Sequence, residues 1–239
     1  MVRIVAWNCR QGLSEAKQDA LLSLSPDVAV IAELKPDYEP PPGWTILRRR
    51  ADWPRVLGVL AAPGSTMDLH PHDPGLPWLL PVIVTAGAHA PFTLLAVWTV
   101  GGEGSPSYER QLEQAILHWD QSAGDPWHRV VLAGDINASM QSQQTRHAHN
   151  LKLLDDRGLA SAYHRASGCK HGEEAAFTLR WVGRGSVPAW FHCDFVFVSG
   201  DLLPGLTAAV GPAATWIGSG MSDHAPLLAD LHLPPVVSG

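Results

Sequence analysis

Cysteine is nearly absent from this chain. Its 239 residues include three, Cys9, Cys169 and Cys193. The number is odd and no pair has CxxC or zinc-finger spacing, so the pattern shows neither a disulfide framework nor a thiolate metal centre. Three free thiols fit a reducing compartment, and a cytoplasmic protein is expected. No apolar run approaches the ~20 residues of a membrane-spanning helix. The opening Met1-Val2-Arg3-Ile4-Val5-Ala6-Trp7-Asn8 lacks the apolar segment and cleavage site of a secretory leader. Charge is also scarce: 17% of residues are charged, and the formal net charge is -6. Such a chain does not hold a polyanion by bulk charge. If it handles phosphate, local groups or a bound cation must offset the negative charge. Repeats, low-complexity tracts and clear linkers are missing too. One domain over 1–239 is therefore expected, with ample length for a core.

What is present is organised around Arg129-Val130-Val131-Leu132-Ala133-Gly134-Asp135-Ile136-Asn137. The short β-branched run bounded by Gly reads as a buried strand. Alternation along a strand puts Asp135 and Asn137 on one side. Gly134, without a Cβ, permits close approach to the backbone. A carboxylate at the tip of a buried strand needs a metal, a donor or a substrate. The pair reads either as catalytic or as an ordinary turn after a strand.

The rest of the chain alternates strands and helices. Val2 to Asn8 reads as a central strand with Asn8 at its tip. Ser14 caps a helix through Leu24. Val28 to Ala32 is a second buried strand and ends in Glu33. Adjacent parallel strands would bring Asn8 and Glu33 together. Trp44–Leu47, Val56–Ala61, Leu80–Thr85 and Phe92–Thr99 read as further strands. Ser105-Pro106 marks a helix start, and Tyr108, Leu112, Ala115, Ile116 and Trp119 share one face of that helix. A second helix covers about His147 to Arg157 and ends at Gly158. Leu159–His164, Phe177–Val182, Trp190–Ser199 and Pro226–Leu231 complete the strands. Two halves are expected, each with strands alternating with an interposed helix. Arg48-Arg49-Arg50 with Arg55 is the basic cluster, either guiding phosphate or forming a solvated face. His70-x-His72 and His147-x-His149 read as loop histidines rather than chelating pairs.

Two more stretches carry chemistry. In Phe191-His192-Cys193-Asp194-Phe195-Val196-Phe197-Val198, alternation puts His192 and Asp194 on one face. Ser222-Asp223-His224-Ala225-Pro226-Leu227 feeds the last strand. A histidine with acids available suits an oriented imidazole. Acids and amides at strand ends form an all-oxygen site for a hard cation, Mg²⁺ or alternatively Mn²⁺. Such a cation neutralises phosphoryl charge.

Trp-Asn near the start, a strand ending in Glu, Gly-Asp-Ile-Asn, His-Cys-Asp-Phe-Val and Ser-Asp-His-Ala-Pro-Leu come in the order of the endonuclease/exonuclease/phosphatase superfamily, which the chain resembles over nearly its whole length. The resemblance implies an α/β (α+β) fold, the deoxyribonuclease-I-like four-layered sandwich: two packed, mainly antiparallel β-sheets flanked by helices. It implies a metal-dependent phosphoesterase. A nuclease cleaving DNA or RNA by in-line attack of an activated water is the first reading, with nucleic acid as partner and no obligate protein partner. A hydrolase of small or lipid phosphate esters is the second. A catalytically silent binding module is the third.

By the same resemblance, Glu33 is the principal metal ligand, with Asn8 and Asp223 nearby. Asp135 orients or deprotonates water, and Asn137 holds phosphate or that water. His224 faces the scissile phosphate and Asp194 orients it. The chain departs from the family at Trp98, where His or Tyr is common. Indole has one donor and no acid–base capacity, so Trp98 is a candidate substrate contact by stacking. His192 occupies a variable position and is a second candidate contact. Cys9 and Cys193 neighbour site residues, and alternation turns them away. The loop Gly101–Ser105 and the segment Cys169–Ala176 are candidates for the substrate rim.

Overall fold

The computed structural model describes residues 1–50, 54–122, 124–142, 144–183 and 187–235. In chain order the elements are β1 (Val2–Asn8), α1 (Glu15–Ser23), β2 (Val28–Leu34), β3 (Thr45–Arg50), β4 (Val56–Ala61), β5 (Ser65–Leu69), β6 (Leu79–Ala86) and β7 (Phe92–Trp98). There follow α2 (Tyr108–Trp119), β8 (Val130–Asp135), α3 (Gln144–Asp155), β9 (Leu159–Ser161), α4 (Ala162–Ser167), β10 (Leu179–Trp181), β11 (Ala189–Phe191), β12 (Asp194–Ser199), β13 (Thr207–Val210) and β14 (Leu227–Leu231).

The strands form two six-stranded sheets, ordered β13-β14-β1-β2-β4-β3 and β5-β6-β7-β8-β12-β9, and a small β10-β11 hairpin. Each large sheet contains one parallel pair, β1 with β2 and β7 with β8. A helix joins each pair, α1 or α2, as a parallel crossover requires. Every other pairing in the large sheets is antiparallel. The expected halves are therefore present, each centred on one strand–helix–strand unit.

Alternation along the central strands builds the layers. Ile4, Ala6, Val30, Val82, Leu94, Ala96, Val131, Ala133, Val196, Val198 and Leu227 close a buried core between the sheets. The opposite faces bury against helices. Val5, Trp7, Ala29 and Ile31 meet Leu21 of α1. Leu95, Val97, Leu132 and Phe197 meet Leu112, Ile116 and Trp119 of α2 and Leu154 of α3. Helix, sheet, sheet and helix thus make four layers, held by apolar burial worth roughly 1.5–3 kcal/mol per large side chain.

Several boundaries differ from the sequence expectation, for identifiable reasons. Trp190–Ser199 is not one strand. β11 pairs with β10, whereas β12 pairs with β8 and β9, and His192 and Cys193 form the corner between them. Leu159–His164 divides into β9 and α4. Helix α2 starts at Tyr108 behind Ser107, two residues later than Ser105-Pro106 suggests. Arg48 donates to the Tyr38 carbonyl and Arg49 pairs with Asp73, so these arginines tie β3 to neighbouring loops and form neither a phosphate patch nor a fully solvated face. The Arg50 side chain lies outside the described residues.

Candidate active site

The polar site is the open end of the inter-sheet core. Asn8, Asp135 and Asp194 continue the inward-facing rows of β1, β8 and β12, at the strand ends where apolar packing stops. All three are buried. Asp194 and Asp135 are directly opposed across β12 and β8.

Two backbone devices aim the acids. Gly134 has φ +141°, and a Cβ there would lie 1.8 Å from the Val97 carbonyl oxygen. No other residue lets β7 and β8 approach this closely just before Asp135. Glu33 follows inward-facing Ala32, so simple alternation would turn it to the outer face. It instead adopts φ +60°, where the β2–β4 register shifts between Ile31 and Leu34. This irregularity re-aims the side chain, and the Asn8 amide donates to Glu33 Oε1 at 3.1 Å. The same Nδ2 donates to Asp135 Oδ2 at 2.9 Å. Glu33 Oε2 accepts from the Gln11 backbone at 2.9 Å.

Asn137 joins Asp135 through a turn, not through strand alternation. The strand ends at Asp135 and Asn137 has φ +48°. Its backbone N–H reaches Asp135 Oδ1 at 2.9 Å, and its Nδ2 reaches Asp135 Oδ2 at 3.0 Å and the Thr99 carbonyl at 2.8 Å.

His224 Nδ1 lies 2.8 Å from Asp194 Oδ2. Burial works against its charge, but the Asp194 and Asp135 carboxylates outweigh burial and raise its pKa to about 10. The imidazolium therefore persists at neutral pH. Burial, reinforced by the Asp194 carboxylate, pushes Asp135 up to about 7. The residues are held from several sides. Trp7 Nε1 donates to the His224 carbonyl at 3.0 Å. Ser222 Oγ donates to the Asn8 carbonyl at 2.8 Å and accepts from the His224 backbone at 3.0 Å. Thr178 Oγ1 accepts from the backbone N–H groups of Cys193 and Asp194, each at 3.0 Å. Asp223 stands at the rim, 3.5 Å from Arg10 Nε.

Asp135, Cys193, Asp194 and His224 place one ligand atom each within 4.8 Å of one another. Asp194 Oδ1 is buried without a hydrogen-bond partner among the described residues. The Asp135 and Asp194 oxygens, together with those of Glu33 and Asn8, fit a divalent cation, whereas the His224 imidazolium has no lone pair to offer and the Cys193 thiol stays neutral. The oxygen set is rich in carboxylate and has an unsatisfied buried anionic atom.

Asn8, Glu33, Asp135, Asn137, Asp194 and His224 are therefore brought together, with Asp223 beside them. His192 is not. It is fully buried, its ring centroid 4.8 Å from that of Tyr163 and 5.0 Å from that of Phe195. The corner before β12 breaks the alternation that would have put it beside Asp194, and burial keeps it from substrate. Trp98 is in register with Asp135 but is 3% exposed and packs in the inter-sheet core. Its role here is packing, without the open face that stacking needs. Cys193 is not turned away. It precedes β12, so alternation does not apply, and it lines a cleft of about 290 Å³ with Tyr108, Asn137, Leu179 and Trp181. Burial pushes its thiol well above the usual range, which keeps it neutral. Thr178 and Tyr108 are the residues missed by sequence reading. Each carries ordinary side-chain chemistry, and only the tertiary fold brings it to the site.

Gly101 and Ser105 line a larger cavity of about 600 Å³ that shares Tyr108 with this cleft. The Cys169–Ala176 segment instead carries His171 and Glu174 to a second cluster at His164.

The chain has the deoxyribonuclease-I-like fold. Among solved structures it is similar to the endonuclease domain of TRAS1, a telomere-specific non-LTR retrotransposon, at 16% identity and TM-score 0.70, covering 98% of this chain and 99% of that one. It is similar to the 3'-5' exonuclease NExo from Neisseria meningitidis at 20% identity and TM-score 0.68, covering 96% and 99%. An AP endonuclease from Archaeoglobus fulgidus matches at 13% identity and TM-score 0.68, covering 98% and 100%. No family model matches the sequence, and no curated protein matches it. At these identities the likeness fixes the fold, and the roles of individual residues rest on the geometry above. No helix among the described residues is long and apolar enough to cross a membrane.

Proposed function

We propose that this chain is a divalent-metal-dependent phosphodiester hydrolase acting on nucleic acid. The observation that carries the reading is the meeting of Asn8, Glu33 and Asp135 with the buried Asp194–His224 pair at one end of the sandwich. All of the similar structures described above are nucleases by their printed names, which supports the reaction class.

Each residue has a role that its surroundings favour. Glu33 and Asn8 would hold the cation, with Asp223 at the edge. The oxygen-rich set favours Mg²⁺, with Mn²⁺ as substitute. When bound, the cation neutralises charge on the phosphoryl group and leaving oxygen. Asp135, with a pKa near 7, accepts the proton of the attacking water, which its hydrogen bonds with Asn8 and Asn137 help to position. His224 is cationic, and Asp194 holds its Nδ1. Its Nε2 makes no hydrogen bond among the described residues, so it can donate to a phosphoryl oxygen whose charge grows in the transition state. The products are a phosphomonoester and a free hydroxyl.

Two exposed aromatics favour a polynucleotide. Trp181 and Trp190 on the β10–β11 hairpin are 51% and 39% exposed, and Trp181 lines the cleft beside Asn137. Base stacking on such rings contributes about 1–3 kcal/mol per base. The net charge of -6 favours the second reading, a small phosphate ester. Hydrolysis assays across DNA, RNA and small phosphodiesters at rising salt separate the two. Polynucleotide cleavage with a steeply salt-dependent KM, weakened by Trp181→Ala, supports the first reading. Turnover of small esters alone, insensitive to salt, overturns it.

A further inference from the structure

A second cluster of metal-ligating side chains lies apart from the strand-end acids. His147 of α3, His164 of α4, His171 and Glu174 of the following loop, and His192 at the corner before β12 are grouped in the interior. The rings of His164 and His171 stack with centroids 3.6 Å apart, and that of His192 is 5.4 Å from His164. His164, His171 and Glu174 each offer a ligand atom within 4.8 Å of the others.

The interior nitrogens are poorly satisfied. Both nitrogens of His147, Nδ1 of His171 and Nε2 of His192 are buried without a hydrogen-bond partner among the described residues. His147 and His192 are 0% exposed. A buried polar atom left unpaired costs about 1–3 kcal/mol, so a protein rarely gathers four of them without something to meet them. Burial, followed by the neighbouring histidines, lowers His171 to about 3. Burial is also the main cause that lowers His147 to about 4. These rings are therefore neutral, with lone pairs free. Glu174 is a carboxylate. Burial works against its charge, but hydrogen bonds from His164, Gly172 and Gln141 hold it at about 2.

The surrounding hydrogen bonds resemble an outer shell around ligands. His192 Nδ1 is 3.0 Å from the Ala176 carbonyl, which only accepts, so Nδ1 carries the proton and Nε2 the lone pair. His164 Nε2 is 3.0 Å from Glu174 Oε1, a carboxylate that only accepts, so this nitrogen carries the proton, and Nδ1 accepts from Ser161 Oγ at 2.8 Å; a cation held with Glu174 would replace the Nε2 proton, and Nδ1–H would then donate to Ser161 Oγ. Metal-binding histidines are typically fixed in this way through the nitrogen that does not touch the metal.

We propose that His164, His171 and Glu174, with His192 and His147 beside them, form a site for one borderline divalent transition-metal ion, Zn²⁺ first. Two imidazoles and a carboxylate with further imidazoles in reach suit zinc better than magnesium, which prefers oxygen alone. The ion would tie α4 and the 169–176 segment to the His192–Asp194 corner. The site does not depend on the proposed phosphodiester chemistry.

The test measures metal content of the whole chain. The protein is stripped with chelator, loaded with Zn²⁺, passed through gel filtration and analysed for bound metal, and Co²⁺ is followed by its visible absorption. We expect one equivalent retained by the wild type and by Asp135→Asn, which weakens the strand-end cluster. Glu174→Gln and His171→Ala should each bind at least tenfold more weakly. Should His171→Ala fail to fold, Glu174→Gln and the wild-type melting temperature decide. Zn²⁺ should raise Tm in the wild type and in Asp135→Asn, and have little effect in Glu174→Gln. No retained metal and no Tm response in the wild type overturns the proposal. So does retention that Asp135→Asn abolishes and Glu174→Gln leaves intact.

Discussion

Asn8 and Asp135 are 127 residues apart in the chain, and the amide of one donates to the carboxylate of the other at 2.9 Å. One ends the first strand of the first sheet and the other ends a central strand of the second. Their contact closes the polar end of the sandwich, and the same amide also reaches Glu33. An uncharged donor thus holds two anionic groups of different sheets side by side. Such an arrangement is costly unless a cation relieves the repulsion.

Glu33→Gln tests that account at the metal. Removing one negative charge from the oxygen set should raise the Mg²⁺ concentration for half-maximal activity by at least tenfold, with the fold retained. Metal titrations of activity and calorimetric Mg²⁺ binding measure it. An unchanged titration curve would remove Glu33 from the metal shell.

The titrations of Asp135 and His224 set a pH window. Asp135 works as a base when unprotonated, so activity is lost as pH falls through its raised pKa near 7. A bound divalent cation moves that limb to lower pH, because positive charge favours the carboxylate. His224 works as the cation, so activity is lost as pH rises through about 10. Asp194→Asn removes the carboxylate that most raises His224, and the upper limb should then shift down by more than one pH unit. A pH profile of kcat/KM for both proteins decides, and an unmoved upper limb counts against the pair.

Gly134→Ala should be severely destabilising. The new Cβ would meet the Val97 carbonyl at 1.8 Å in a backbone conformation with φ +141°, so β7 and β8 must separate. Overpacking and backbone strain of this kind are among the few causes of losses above about 4 kcal/mol. Chemical denaturation measures the loss, and a variant within about 1 kcal/mol of wild type would show that the strands part easily.

Thr178→Val keeps the shape of the side chain and removes its acceptor. The Cys193 and Asp194 amides then lose their Oγ1 partner, each at about 1–3 kcal/mol. Activity should fall in kcat more than in KM, because Asp194 positions His224. Tm and steady-state kinetics report both effects, and a fall in Tm with unchanged kcat would confine Thr178 to a structural role.

Legibility in the sequence followed the physics of short-range patterning. The buried β-branched runs ending at Asn8 and Asp135 were readable because apolar strands and polar tips leave a local signature. The order of motifs was sufficient to anticipate the layered sandwich. Glu33 was legible as a strand-end acid, but its inward aim depends on a register shift with β4, a tertiary event. His192 was misplaced because a chain corner, which leaves little pattern, divides Phe191 from Asp194. Tertiary packing also decides the fate of His147. His147 and His149, near the start of a helix, read as loop histidines rather than as a chelating pair, yet the His147 ring is buried in α3, while His149 lies near Glu113. Thr178 makes its contacts only after the β10–β11 hairpin folds against the site.

Mg²⁺-dependent cleavage of plasmid DNA, single-stranded DNA and structured RNA, by the wild type and by Asp135→Asn, decides whether the strand-end cluster is a nuclease centre. The wild type should cut a polynucleotide, and the rate should fall by about 10²–10⁴-fold in the folded variant. Equal cleavage by both proteins, or none of any polynucleotide by the Mg²⁺-loaded wild type, would contradict that assignment.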